Sequence, residues 1–587
     1  MKESYVGKTS RPIWRIRVWY ALLLFCVALF VVRLFYLQVI RHGHYESAAL
    51  RGQLKEYEIP AERGVIEAHN GSEVVPIVLN ETLYTLFADP VYIKDADGTA
   101  TKITELIGGD KAVYAQLLKT PNTRYVVLKQ RMDKATSEKI DALEIKGLGT
   151  RGVPYRTYPQ GDLASQLLGF VNNEGEGKYG IEQALDSDLK GVPGRLKAIT
   201  DASGVPLAAN LDNVNISPQP GKRLTLTIDI AMQHQLEAIL KSGLNHAKSK
   251  EGSAVIIDPR TGAIKAMANF PTYNPTEYYK VEDGSRFNNA AASNPIEVAS
   301  VMKPLVAAAA LDLGVVNAST TYEDHEIRIG DATVMNVQES RGGGTKSVRD
   351  ILRESLNTGS TWLLMQMGGG ELNSQARTRW HDYMTNRFQL GKMTGVEQGF
   401  EAAGSIPEPN EGYGLEIRYA NTTFGQGMTA TLLQMAAASG SVVNGGTYYK
   451  PHLVEKVTTG SQAEVRKPVV VQDKVVSRQA GLSVKEMLEY AYSNNRLNYG
   501  STQDFPQYGI GGKTGTAEIA MPEGGYYKDR FNGTYVGFVG GDEAEYVIAV
   551  MVITPKIPGY AGTKAAAPIF VDLAAMLINN FGVTPKR

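Results

Sequence analysis

Cysteine is nearly missing from this chain: among 587 residues there is one, Cys26. No intrachain disulfide can form, and a zinc site built from cysteines is excluded. Cys26 sits in an apolar run and reads as a small buried hydrophobe. Net charge is also lacking, since 61 basic residues balance 61 acidic ones. A nucleic-acid binder usually carries a basic excess, so that class loses support. The eight histidines form no HExxH pair. A phosphate-binding loop before Gly512-Lys513-Thr514 would need glycine where Gln507 stands, which excludes a Walker-type ATP site. Neither a metal nor a cofactor is called for.

Long hydrophobic runs are equally scarce, with one exception. Val18 to Val32 carries no charge, Arg33 interrupts, and the run resumes to Ile40. Taken as 18–40, it is long enough to cross a bilayer with Arg33 near an interface. The rival reading is a cleaved secretory signal, but RLFYLQVIRHGHY offers no small-residue cleavage site. Lys2, Lys8, Arg11, Arg15 and Arg17 precede the run against Glu3. The positive-inside rule then makes 1–17 a cytoplasmic tail and places the rest beyond the cytoplasmic membrane.

What remains is ordinary globular composition, 43% hydrophobic and 21% charged, and too long for one core. The polar, proline-rich stretch SGVPLAANLDNVNISPQPGKR marks a boundary near Gly221. It divides a mainly β region, 41–220, from a second domain, 221–587. In the latter, RLTLTID reads as a strand and IAMQHQLEAILKSGLNHA as a helix. SAVIIDPRTGAIKAMANF reads as two strands about a turn. VASVMKPLVAAAALDLG and VRDILRESLNTGSTWLLMQMG read as long helical stretches. GTYVGFVG and EYVIAVMVIT form a hairpin before a last helix, APIFVDLAAMLINNFG. Strands, then helices, then strands imply an α+β fold with a mainly antiparallel sheet and helices packed on it.

Three short motifs carry chemistry: Ser300-Val-Met-Lys303, Ser355-Leu-Asn357 and Lys513-Thr514-Gly515-Thr516. Roughly two SxxK matches are expected by chance in a chain this long, but only about 0.15 KTG matches. Ser187-Asp-Leu-Lys190 is such a chance match, in the polar run DSDLKGVPG. Ser300 instead opens an apolar helix, where free backbone N–H groups stabilise developing negative charge. Lys303 lies one turn on. Buried, its amine loses charge and can take the serine proton. Ser355 and Asn357 end a helix. There a hydroxyl can relay a proton and an amide can donate to a substrate carbonyl. Taken alone, that pair reads first as helix termination and turn chemistry. Lys513 follows a glycine-rich strand whose edge can accept an extended peptide, and it offers positive charge to a terminal carboxylate. The N–H groups of Thr516 and Ser300 can form an oxyanion hole. The glycines at 342–344 read as a flexible loop at the cleft rim.

SxxK, SxN and KTG in this order resemble the signature of penicillin-binding proteins and serine β-lactamases. RGVIEAHNG near Arg63 and RTYPQGDLASQLLGFVNNEGEGKYGIEQALDSDLKGVPG resemble the non-catalytic domain of class B penicillin-binding proteins. SAVIIDPRTGAIKAMANFPTYNP and FGQGMTATLLQMAAASGSVVNGG resemble their transpeptidase domain. The ending YAGTKAAAPIFVDLAAMLINNFGV is most similar to the division (septal) type.

The resemblance implies a peptidoglycan D,D-transpeptidase. Ser300 would attack the penultimate D-alanine of a stem peptide, and β-lactams would acylate the same serine. Lys303 is then the base, Ser355 the relay and Asn357 a substrate contact. Lys513, Thr514 and Gly515 hold the donor, and Thr516 supplies an oxyanion N–H. Region 41–220 becomes a pedestal, and the membrane helix meets a polytopic glycosyltransferase and other division proteins. Two departures stand out. Glu297-Val298-Ala299 replaces the family's Glu-Pro-Gly before the nucleophile, losing a stiff turn. Ala68-His69 replaces Asp-Arg, removing a charged contact within the pedestal. A D,D-carboxypeptidase or β-lactamase would use the same serine with water as acceptor, but the anchor and pedestal argue against a secreted lactamase. A silent scaffold or β-lactam sensor is opposed by the intact motif set.

Overall fold

The computed structural model describes residues 13–45, 54–199, 214–337, 343–501, 503–521 and 523–587. Most of the expected cytoplasmic tail and Gly342 of the glycine run lie outside the described residues. The chain forms two compact units, Met1–Ala61 with Val192–Gln219, and Glu62–Gly191 with Pro220–Arg587.

The first unit holds a helix, Ile13–Phe35, continued by a wider turn, Tyr36–Ile40. Together they give one apolar segment, Trp14–Ile40, long enough to cross a membrane. Among the described residues nearly all its side chains are exposed, and Tyr36 accepts a hydrogen bond from Arg41 just beyond it. Cys26 is therefore exposed rather than buried, because no protein core surrounds it. An antiparallel sheet in the order Leu54–Ile59, Gly194–Ile199, Val214–Ile216 completes this unit.

In the second unit a seven-stranded sheet is organised by the strand Glu73–Ala88. Its first half pairs with Ile66–Asn70, and its second half with Val126–Met132 and Leu148–Thr157. The sheet runs straight past residue 221. Arg223–Asp229 lies between Ile66–Asn70, to which it is parallel, and Val454–Thr459. His69 on the 66–70 strand stands 2.5 Å from the Glu455 carboxylate, so the position expected to lose a charged contact makes a hydrogen bond to a carboxylate across the sheet. Beneath this region Glu182, fully buried, joins Arg63 (Nη2–Oε2 2.5 Å) to Arg156 (Nε–Oε1 2.7 Å).

A second, five-stranded antiparallel sheet runs in the order Ile264–Phe270, Glu251–Ile257, Ala544–Ile553, Tyr526–Gly540, Gly509–Ala520. Apolar side chains occupy both its faces. Val547, Ala549 and Met551 join one core, while Ile548, Val550 and Val552 join the other. Helices Ile230–His246 and Ala567–Asn580 cover the second face through Leu236, Leu240, Phe570 and Leu573. The first is covered by Lys303–Asp312, Leu432–Val443 and Arg478–Asn495. Residues Lys303 to Ala310 are all buried, as a helix apolar on every side must be. The expected hairpin, the strands about Pro259-Arg260-Thr261-Gly262 and the last helix all form. The stretch from Val348 does not run through. It makes two helices, Val348–Glu354 and Asn357–Met367, broken at Ser355 (φ 61°, ψ 42°). Asn357 thus starts a helix instead of ending one.

Candidate active site

Ser300 lies in a single 3-10 turn, Ala299–Met302, that leads directly into the α-helix Lys303–Asp312. In a 3-10 turn residues three apart eclipse one another, so the SxxK spacing stacks Ser300 and Lys303 on one side. Entry to the turn is tight. Ala299 has φ +59°, a left-handed conformation that a non-glycine residue adopts at a cost of about 1 kcal/mol. Glycine is the usual residue there in the resembled family, and this backbone shows why. The Ala299 amide donates to the Gly425 carbonyl (3.1 Å), and Thr534 Oγ1 donates to the Val298 carbonyl (3.0 Å).

Lys303 is fully buried. Its Nζ donates to the Ser355 carbonyl (2.5 Å), Ser355 Oγ (3.2 Å) and Asn357 Oδ1 (2.8 Å). All three acceptors converge because Ser355 breaks the helix in a left-handed conformation, turning its carbonyl and hydroxyl back toward the lysine. Asn357 Nδ2 donates in turn to the Met335 carbonyl (3.1 Å), which orients the amide oxygen to Lys303. Burial, and then the charge of Lys513, hold the Lys303 pKa well below that of an ordinary amine.

Opposite stands the strand Gly509–Ala520. It is an edge of the five-stranded sheet, paired on one side only, as an open edge for an extended ligand requires. Lys513 is buried on it, its Nζ donating to the Thr514 carbonyl (3.0 Å) and to Thr514 Oγ1 (3.3 Å). Burial lowers its pKa to about 7. Burial thus makes this amine release its proton more readily than an ordinary lysine. Gly515 permits a close approach of this strand to the nucleophile turn. A Cβ there would lie 2.8 Å from the Val298 carbonyl oxygen and 2.3 Å from Thr534 Oγ1. Thr516 Oγ1 accepts from the Gly562 amide at 2.9 Å.

Ser300, Ser355, Asn357, Lys513, Thr514 and Thr516 all line one cleft. Lys303, fully buried, is not part of the lining but is hydrogen-bonded to the lining residues Ser355 and Asn357, and Gly515 likewise does not line the cleft. Ser187, the chance match, belongs to a short helix, Asp186–Leu189, elsewhere in the chain. Sequence reasoning missed Phe424, Tyr499 and Phe531, which give the cleft its aromatic walls. Phe424 opens the stretch FGQGMTATLLQMAAASGSVVNGG noted above, but no motif marks Tyr499 or Phe531, and the three come from different segments.

The architecture is that of solved penicillin-binding proteins. Penicillin Binding Protein 2X from Streptococcus thermophilus superposes with a TM-score of 0.72, over 90% of this chain and 81% of that one, at 22% identity. Penicillin binding protein 3 from Mycobacterium tuberculosis, complexed with aztreonam, gives 0.67 over 90% and 98% at 24% identity. The family model for the penicillin binding protein transpeptidase domain matches residues 252–575, and that for the penicillin-binding protein dimerisation domain matches 58–226. The chain belongs to the penicillin-binding protein transpeptidase family. Curated relatives align over almost its full length. Stage V sporulation protein D of Bacillus subtilis is 27% identical, covering 96% of this chain and 86% of the relative. The probable peptidoglycan D,D-transpeptidase PenA of Neisseria gonorrhoeae is 25% identical, covering 100% and 96%.

Proposed function

We propose that this protein is a membrane-anchored peptidoglycan D,D-transpeptidase, acting in septal wall synthesis, that cross-links stem peptides through an acyl-enzyme on Ser300. The observation that carries the reading is the meeting of three distant motifs. Lys303 contacts Ser355 and Asn357, while Ser300, Lys513, Thr514 and Thr516 line the same cleft.

Ser300 Oγ attacks the carbonyl of the penultimate D-alanine, and its proton passes to the neutral amine of Lys303. The peptide C–N bond breaks. Ser355 relays a proton to the departing amine of the terminal D-alanine. An amine of a second stem peptide then attacks the ester, restoring Ser300 and completing the cross-link. Asn357 contacts the donor backbone. The donor carboxylate, held by Lys513 and Thr514, draws Lys513 back to its charged form. The N–H groups of Ser300 and Thr516 stabilise the oxyanion. β-Lactams enter as donor mimics and stop at the ester.

Residues 41–220 serve as the non-catalytic pedestal of the 221–587 enzyme. The anchor runs from a cytoplasmic N-terminus to an external catalytic domain. Division proteins, a polytopic glycosyltransferase among them, are its partners along the membrane.

Mass spectrometry of the intact protein after penicillin treatment tests the nucleophile. One adduct is expected, on the peptide containing Ser300, and Ser300→Ala should remove it. Stoichiometric labelling of Ser300→Ala, or an adduct on another residue, overturns the assignment. With a donor stem peptide and an amine acceptor the product should be the cross-linked dimer. Hydrolysis alone would mark a carboxypeptidase instead.

A further inference from the structure

Glu297 precedes the nucleophile turn, and its carboxylate reaches in two directions. Oε1 accepts from the Gly427 amide at 2.8 Å and from the Tyr526 hydroxyl at 2.9 Å. Gly427 belongs to the loop leading into the helix Leu432–Val443. Tyr526 opens the strand Tyr526–Gly540 and pairs with Ala520, at the tip of the hairpin whose first arm carries Lys513 to Thr516. Both segments line the cleft close to these contacts, the loop through Phe424 and Gln426, the hairpin through Glu518 and Phe531.

The backbone of 296–299 is gripped by the same two segments. Ile296 exchanges a pair of hydrogen bonds with Ala430, and the Ala299 amide donates to Gly425. Thr534 donates to the Val298 carbonyl. The side chain of Glu297 extends this grip to the hairpin tip. Its second oxygen, Oε2, is buried with no partner among the described residues, and the charge that bears on it is another carboxylate, Glu518. Burial pushes its pKa up. A half-buried carboxylate held by two neutral donors is costly to keep, and the ties to Gly427 and Tyr526 are what it secures.

We infer that Glu297 is a positioning residue for acyl transfer: its carboxylate ties the 425–430 loop and the tip of the 509–540 hairpin to the nucleophile turn, and so fixes the cleft width on both sides of Ser300. The inference rests on the reading of Ser300 as the nucleophile.

The test is the rate of acylation by a fluorescent penicillin in the full-length protein, resolved into a binding constant and a first-order acylation constant. A misplaced reacting geometry lowers the first-order constant, about tenfold to a hundredfold for Glu297→Ala, with the binding constant little changed. Tyr526→Phe, which leaves the carboxylate and the Gly427 contact in place, should lose about threefold to tenfold. Glu297→Gln, whose amide oxygen can still accept from both donors, should restore the rate to within about threefold of wild type. The Glu297→Ala/Tyr526→Phe pair should be no slower than Glu297→Ala alone, since Glu297→Ala already removes the Tyr526 tether. If Glu297→Ala proves unfolded by thermal melting, Tyr526→Phe and Glu297→Gln carry the test. Folded Glu297→Ala and Tyr526→Phe acylating at the wild-type first-order rate would overturn the inference. Wild-type protein that takes no label on Ser300 would remove the nucleophile reading, and this inference with it.

Discussion

Lys303 Nζ stands 2.8 Å from Asn357 Oδ1, and each of its three hydrogen bonds ends on an uncharged oxygen. A buried amine so placed gains no counter-charge to hold its proton, which favours the neutral form needed to accept one from a serine. Asn357→Asp places a carboxylate at the same distance. It should raise the Lys303 pKa and hold the amine charged. Acylation by penicillin at pH 7 should fall about tenfold or more, and the rate–pH profile should move to higher pH. An unshifted profile would contradict the role of Lys303 as base.

Lys513 gives a stability prediction. Its pKa is about 7 in the folded protein against 10.5 for the unperturbed side chain. Between these values the unfolded chain holds a proton that the folded chain does not. Stability should therefore rise with pH through this window, by up to about 1.4 kcal/mol per pH unit from this group, and level off above it. Lys513→Met removes the titration. Denaturant unfolding at pH 7, 8 and 9 should show the wild type gaining on the mutant as pH rises.

Gly515→Ala tests the closeness of the edge strand to the nucleophile turn. The new methyl would meet Thr534 Oγ1 and the Val298 carbonyl, and the strand must shift. Overpacking of this kind costs about 1–3 kcal/mol, read as a lower melting temperature. Acylation should fall about a hundredfold, because displaced reacting groups lose rate steeply.

Glu182→Ala addresses the pedestal. It would leave the guanidinium of Arg156, buried on the other side of the carboxylate, without its anionic partner, and Arg63 with Asp186 alone. Breaking a buried ion pair from one side costs about 3–5 kcal/mol, so limited proteolysis should cut 62–191 far faster than in the wild type. Acylation measured per folded molecule should stay the same.

The apolar segment makes a prediction about the cell. Arginine at both Leu23 and Leu24, near the middle of Trp14–Ile40, costs about 2.5–3.5 kcal/mol per residue in a bilayer. Fractionation should find the doubly substituted protein largely outside the membrane pellet.

The parts legible in the sequence were those whose cause is local. EYVIAVMVIT alternates between two apolar cores, so its strand and hairpin partner follow from the residues themselves. The SxxK spacing meets a helical turn and stacks Ser300 with Lys303. Ser355 was harder. Its left-handed break between two helices has no glycine or proline to announce it, and the lysine that its carbonyl meets lies 52 residues away in the chain. The place of Arg223–Asp229 beside Ile66–Asn70 was illegible for another reason. Those partners are more than 150 residues apart, and parallel pairing leaves no turn between them to read. The low pKa of Lys513 was hidden likewise, because burial is a property of the packed sheet and not of the KTG triplet.

The strand Glu73–Ala88 has 16 residues, and at the usual rise it is about 50 Å long. One end is paired with Ile66–Asn70, which in turn lies beside Arg223–Asp229, and the other carries the small helical cluster of Ala96–Ile107 and Lys111–Leu118. Such a ribbon behaves as a cantilever. Its root is the inner part of the same sheet, where Ile66–Asn70, Arg223–Asp229 and the strand that carries Glu455 lie side by side, so leverage on the outer cluster bears on those three strands.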